Sequence, residues 1–244
     1  QGDWSSDVCS SDLAEQVEIY TDVDGIMTAD PRIVKGASLI KEISYNEVFQ
    51  FAEQGAKVIH PRAVEIAMKG NIPLVIKNTM SDCTGTTIDN IGDLNASNII
   101  TGITHMANRV QIRIKLEDNS GNENYYDLLP ILAENSISID LINVFPNEKI
   151  FTIDKKDFFK FDGIMNSINV KYSHIDDCSK IAIIGSRMRG IPGVMAKILK
   201  SLVKEKIEVL QTADSHTTIW CLVESKYTET AINLLHEEFD LERL

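Results

Sequence analysis

Shifted by 70 residues, the second half of this chain falls on itself. Leu128, Leu129 and Leu132 align with Ile198, Leu199 and Leu202, and Ile137 and Ile139 with Ile207 and Val209. Phe151 and Ile153 align with Cys221 and Val223, and Ile164 and Met165 with Leu234 and Leu235. Only apolar positions match, which is what two copies of one fold with different surfaces show. Each copy reads strand, helix, strand, strand, helix, the first from residues 110–115 and the second from 180–185. That order builds a small α+β unit of ferredoxin-like type. Pro130 lies inside the first predicted helix, where it removes a hydrogen bond unless the helix starts late or kinks. Residues 99–105 form a further strand whose counterpart, 169–175, reads as irregular. The spare strand is therefore expected to complete the second unit's sheet.

Upstream, residues 14 to about 90 alternate between strand and helix signals, the pattern of an α/β sheet. Residues 17–20 are a short β-rich run. Over 44–55, Val48, Phe49 and Ala52 fall at helical spacing, and Ser44 with Glu47 makes a capping box. Pro61 can open a helix over 63–69, and Gly70-Asn71 stops it. Residues 73–77 are a buried-strand candidate, and polar 89–98 reads as a linker.

The chain has 24 basic and 36 acidic residues, a net charge of −12. An acidic surface repels phosphate backbones, which argues against nucleic-acid binding. No apolar run approaches the ~18 residues of a membrane span. Cys9, Cys83, Cys178 and Cys221 are far apart and form no CxxC pair, and the five histidines make no HExxH. A metal site has no support, and reduced thiols in a cytoplasmic protein are expected. Residues 1–13 repeat Ser-Ser-Asp and lack the basic and apolar regions of a signal peptide. They resemble translated adapter sequence, so the native sequence is expected to begin near Ala14.

Two motifs carry chemistry. Glu18-Ile-Tyr-Thr-Asp-Val-Asp-Gly-Ile-Met-Thr-Ala-Asp-Pro-Arg32 is a strand followed by polar turns, and Gly55-Ala-Lys-Val-Ile-His-Pro-Arg62 follows about twenty-five residues on. A strand ending in Thr-Asp places N–H groups, a hydroxyl and a carboxylate at a sheet's carboxyl edge, where open α/β sheets bind ligands. Arg32 can grip phosphate bidentately, and Lys57 supplies a point charge. Asp22-Val-Asp-Gly25 is not an EF-hand, since its glycine is fourth and the twelfth residue is Ile33. Gly185-Ser-Arg-Met-Arg-Gly190 has P-loop glycine spacing, but Ile191-Pro192 follows in place of Lys-Ser/Thr. Asp24 and Asp30 read as turn formers rather than general bases.

With both motifs at this spacing and two repeats behind them, the chain resembles the aspartate kinases over residues 14–244. It is closest to the diaminopimelate-sensitive isoenzymes around Gln211-Thr-Ala-Asp-Ser-His-Thr-Thr-Ile-Trp220. The resemblance implies the C-terminal part of an amino-acid-kinase fold (α/β, 14–92) followed by two α+β ferredoxin-like ACT domains, 97–175 and 176–244, the second with strand 99–105. It implies ATP contacts at Thr21, Asp22, Met27, Arg32, Lys57 and Val58, with Met27 packed on the adenine. It implies effector contacts at Asn124, Tyr125, Ile139, Asp140, Asn147 and Glu148. The substrates would be L-aspartate and ATP with Mg, without a prosthetic group. The product would be 4-phospho-aspartate, the first step toward lysine, diaminopimelate, threonine and methionine. The effector would be meso-diaminopimelate or lysine, and the partner a second copy joined through the ACT domains. The family's catalytic lysine and phosphate loops lie upstream of the residues present, so no catalytic residue is assigned and the chain alone is expected to be inactive. A non-catalytic ACT regulatory subunit is the alternative, against which Thr21–Arg32 argues. The ACT repeats argue against a glutamate kinase.

Overall fold

The computed structural model describes residues 14–56, 58–93, 98–186, 188 and 191–243. The leader, residues 1–13, lies outside the described residues, as does Lys57. A four-stranded sheet comes first, in the order β1 (Val17–Thr21), β3 (Leu74–Asn78), β4 (Thr86–Asp89), β2 (Glu42–Ser44). β1 runs parallel to β3, β3 antiparallel to β4, and β4 parallel to β2. Two helices accompany it, α1 (Tyr45–Glu53) and α2 (Pro61–Gly70). Ser44 and Glu47 make the expected capping box on α1. Pro61 stands at the start of α2, and Asn71 ends it in the left-handed region at φ 51°. Residues 86–89, of which only Asp89 falls in the expected linker, form β4 with Ile88 buried in the core.

The six-stranded antiparallel sheet that follows has the order β6 (Ile139–Val144), β7 (Glu148–Asp154), β5 (Gly102–Lys115), β8 (Ser173–Ile184), β10 (Thr218–Glu224), β9 (Gln211–Asp214). α3 (Leu128–Glu134) and α4 (Phe158–Ser167) belong to the first repeat, α5 (Val194–Lys204) and α6 (Thr228–Glu238) to the second. α3 starts at Leu128, so Pro130 sits in its first turn, where the N–H it lacks has no helical partner anyway.

β5 and β8 serve both repeats. Gly102–Met106 of β5 pairs with Ile184–Lys180 of β8, and Arg109–Arg113 pairs with Cys178–Ser173. The spare strand thus joins the second unit. The expectation for 169–175 is corrected, because β8 begins at Ser173 and returns the exchange by pairing with the first unit. The five residues Ser173–Asp177 are exposed, so no burial pattern marks them as a strand. Asn108 (φ 59°) in β5 and Asp177 (φ 49°) in β8 take the left-handed conformation where each strand crosses between units. Asn and Asp are the non-glycine residues that tolerate it best.

Three large cores result. Val110, Ile112, Leu128, Phe151 and Phe161 fill the first unit. Ile181, Ile183, Ile198, Leu202, Cys221 and Leu235 fill the second, together with Ala29 and Val34 from the first sheet's unit. The third surrounds Ile26, Val48, Phe51, Val64 and Ile76 and takes in Ala182 and Ile184. Ile181-Ala-Ile-Ile184 is a continuous apolar run because alternate residues face two different cores. A Cβ on Gly102 would stand 2.6 Å from the Thr28 carbonyl oxygen and 2.7 Å from Phe51, so the units meet at a glycine. Burial pushes the Cys178 thiol up to about 11 and the Cys221 thiol up to about 12, which leaves both poor nucleophiles. Among the described residues no helix is long and apolar enough to cross a membrane.

Candidate functional site

Two loops stitch the carboxyl ends of the parallel pair β1 and β3. The Thr21 carbonyl accepts from Thr79 N at 2.9 Å and Thr79 Oγ1 at 3.0 Å. Asp24 Oδ1 accepts from Asn78 Nδ2 at 2.7 Å and Ser81 Oγ at 3.0 Å, so Asp24 is held as a turn acceptor. Thr21 Oγ1 donates to Asp22 Oδ1 at 3.1 Å, and Asp22 is exposed at the edge. Met27, half-buried, bridges to Leu39 across the following loop. Val58 packs against the core from the α1–α2 connection.

Arg32 is tied to its own turn. Asp30 Oδ1 accepts from Arg32 N at 2.9 Å, and the guanidinium is bidentate on Asp30, Nε at 3.0 Å and the terminal nitrogen at 2.7 Å. That hydrogen bond holds the Asp30 carboxyl below its ordinary range. The Arg32 side chain is 88% exposed, so the ion pair contributes little to stability and the fork is available to an anion. No hydrogen bond joins Arg32 to Thr21, Asp22 or Val58. These residues occupy the end of β1, the β1–β2 connection and the α1–α2 connection of one α/β unit.

The loop that carries Arg32 lies on the second repeat, a placement the sequence did not reveal. Thr28 is fully buried, and its Oγ1 accepts from Ser38 N at 3.0 Å and lies 2.9 Å from His236 Nε2 of α6. Thr28 Oγ1 can donate as well as accept, so the direction of its bond with His236 is set by the imidazole tautomer. Asn233 Nδ2 donates to the Ile33 carbonyl at 3.2 Å, and Ser38 Oγ to the Glu242 carbonyl at 2.8 Å. The only sequence signal was a histidine on the apolar face of a helix. Burial pushes both His236 and His105 below the ordinary imidazole value. The unfolded chain therefore binds more protons near pH 6, and stability falls as pH drops through about 6.5. The melting temperature should be lower at pH 5.5 than at 7.5, and His236→Gln should flatten that difference. An equal slope in the variant would refute this origin.

The residues expected to contact an effector lie in the first repeat. Asn124 and Tyr125 lie in a 3-10 turn, and Asn124 Nδ2 donates to the Ile168 carbonyl at 3.2 Å. The Asn147 carbonyl accepts from Leu116 N at 2.8 Å, and Glu148 faces Arg113 at 3.9 Å. Ile139 opens β6 beside Asp140. Asp140 is not a free acceptor: Lys180 Nζ of the second repeat donates to its Oδ2. Leu141, at φ 44°, follows at a bulge in β6. Its carbonyl accepts from Gln211 Nε2, and its side chain packs on Cys178 and Leu222. This inter-unit lock brings β6 against β9 and was absent from the sequence reading.

Comparison with known proteins follows this division. The amino acid kinase family profile matches residues 6–78 and the ACT domain profile residues 173–237. Aspartokinase 1 of Bacillus subtilis is 36% identical over 235 residues, covering 94% of this chain and 58% of the relative. The aspartokinase of Geobacillus stearothermophilus is 32% identical over 238 residues, covering 93% and 57%. The crystal structure of Clostridium acetobutylicum aspartate kinase superposes with a TM-score of 0.85 at 26% identity, over 95% of this chain and 56% of that one. The chain thus spans less than three fifths of the length of these relatives, and the matched part is C-terminal. The matches support the aspartokinase family, and the fold is part of an amino-acid-kinase domain with ACT units.

Proposed function

We propose, from this likeness to aspartokinases, that the chain forms the nucleotide-side and regulatory portions of an aspartate kinase. The enzyme phosphorylates the side-chain carboxylate of L-aspartate with Mg-ATP and is controlled by an amino acid bound to its ACT units. The observation that carries this reading is one continuous match, 36% identical, that runs through both the kinase portion and the ACT repeats. The domain limits proposed are 14–92, 97–175 and 176–244, with β5 and β8 shared. Thr21, Asp22, Met27, Arg32, Lys57 and Val58 form the nucleotide side. Asn124, Tyr125, Ile139, Asp140, Asn147 and Glu148 form the effector side, for meso-diaminopimelate or lysine. Phosphoryl transfer relies on positioning and charge neutralisation, to which Arg32 contributes a planar donor fork. The loop from Thr28 to Ser38 gives α6 a mechanical hold on that fork. A ligand that binds one arrangement of the ACT units better than another would shift the kinase through it.

A homodimer in the cytoplasm is part of this proposal. β6 is an edge strand, and Ile142, Val144 and Phe145 at its end are exposed, a surface that a second copy would cover.

Arg32→Ala is the direct test. In an enzyme that carries these residues within a full-length kinase domain, it should weaken Mg-ATP about ten- to a hundredfold, the share of one charge-assisted phosphate contact. The melting temperature should barely move, since the side chain is exposed. Unchanged Mg-ATP affinity would remove Arg32 from the site.

A further inference from the structure

Both motifs proposed for the nucleotide side rest on four consecutive residues of β5. Ile103 N donates to the Thr28 carbonyl at 2.7 Å, the same carbonyl that Gly102 admits. Thr104 Oγ1 donates to the Gln54 carbonyl at 3.2 Å. Gly55, at φ 109°, makes room for the His105 carbonyl oxygen, which would stand 2.4 Å from a Cβ there. Gly102 and Thr104 face α1, whereas Ile103 packs with Ala29 and with Ile232 of α6. By strand alternation His105 lies on the Ile103 side, beside the turn that follows Ala29. The residue is half-buried.

Among the described residues, the charges that act on the His105 ring are those of Asp30 and Arg32 from that turn and of Glu229 from the first turn of α6. β8 lays Ile181 opposite it in the sheet. Burial holds the imidazole below its ordinary value, so the neutral form prevails at pH 7. The Asp30 side chain is 25% exposed, and its ion-pair partner is the guanidinium of Arg32, which is 88% exposed. Nε and a terminal nitrogen of that guanidinium both point to Asp30. A phosphate that takes the same edge of the fork strips Asp30 of its partner. A partly buried carboxylate left alone costs free energy, and the cation within reach is a protonated His105.

We infer that His105 is a positioning residue for the nucleotide: when phosphate oxygens take the Arg32 fork, His105 binds a proton and replaces Arg32 as the cationic partner of Asp30. The inference rests on the reading that Arg32 contacts phosphate. The proton comes from solvent, and no covalent bond between heavy atoms changes. The exchange keeps the turn neutralised while the guanidinium serves the ligand. Nucleotide binding then takes up a proton, so affinity rises as pH falls through the midpoint of His105 in the bound state. Because His105 belongs to β5, which serves both repeats, the same exchange ties the charge at the nucleotide to the shared strand.

Proton NMR of the 244-residue chain can follow its five imidazoles against pH, with His105 identified by its loss in His105→Gln. The His105 midpoint should lie below the ordinary imidazole value in the parent. It should rise by about half to one pH unit in Arg32→Ala, which unpairs Asp30 as a phosphate would. Adding Asp30→Asn to Arg32→Ala should bring it back down. An unmoved midpoint in Arg32→Ala overturns the inference. In an enzyme that carries these residues within a full-length kinase domain, calorimetry in buffers of different ionisation enthalpy should show proton uptake on Mg-ATP binding at pH 7. Mg-ATP should bind about threefold to tenfold more tightly at pH 6 than at pH 8, and His105→Gln should abolish both effects. Binding that depends on Arg32 without proton uptake, or uptake that survives His105→Gln, overturns the inference and leaves the nucleotide reading standing. Affinity indifferent to Arg32→Ala overturns both.

Discussion

Glu47→Ala should lower the unfolding free energy by about 3 kcal/mol and the melting temperature by roughly 6–12 °C for a chain of this size. Glu47 is buried, and its carboxyl oxygens accept from four groups in three segments. Ser44 donates from Oγ at 2.5 Å and from N at 3.3 Å, which closes the capping box of α1. Thr101 Oγ1 donates at 2.5 Å from the segment leading into β5, and Ser186 N at 3.1 Å from the loop after β8. A helix cap alone is worth about 1 kcal/mol. The larger figure arises because truncation leaves part-buried donors from two other segments without their acceptor. Glu47→Gln keeps one oxygen and should retain about half of the lost stability. Chemical denaturation reads both variants. A loss below about 1 kcal/mol for Glu47→Ala would mean that water replaces the carboxyl group and that the three-segment junction is not a structural hub.

Asp140→Ala should destabilise the chain by about 3 kcal/mol, independently of any ligand, because it strands the Lys180 ammonium in the seam between the ACT units. The Lys180 side chain is 4% exposed. Lys180→Met should cost much less, since it removes the buried charge and leaves the 39% exposed Asp140 to water. The double variant Asp140→Ala with Lys180→Met should be far closer to the parent than the sum of the single changes, which a double-mutant cycle measures. Additive losses would show that the two groups do not act as a pair. The pair also governs how ligand data are read: weaker binding in Asp140→Ala alone cannot be assigned to a lost ligand contact, whereas retention of binding in the double variant would remove Asp140 from the proposed effector site.

Much of the fold was legible because it follows from local burial. Leu128, Leu132, Phe151 and Ile153 repeat at an offset of 70 because both units bury the same positions. Ser44 and Glu47 marked the start of α1, and Pro61 and Asn71 the limits of α2, through backbone rules that need no distant partner. β2, with three residues, and β4, with four, were too short to carry a visible pattern. The first half of β8 escaped for the opposite reason, since its residues 173–177 are exposed and alternate nothing. Of the residues proposed for the nucleotide side, the sequence marked the Thr21-Asp22 edge and the Arg32 fork, but not the contact of their loop with α6.

By itself the sequence determined the repeat, the order of elements within it, and the chemistry available at Thr21, Asp22 and Arg32. All of these depend on residues a few positions apart, or on apolar spacing that any burial would satisfy. Only the tertiary structure decided the rest. It exchanged strands between the units, set Thr28 against His236 across 208 residues, and Asp140 against Lys180 across 40. It also laid the His105 ring beside the Asp30–Arg32 pair. A polar side chain advertises its charge in the sequence but not its partner. Pairing is settled by strand register and by which faces the packed units leave to one another.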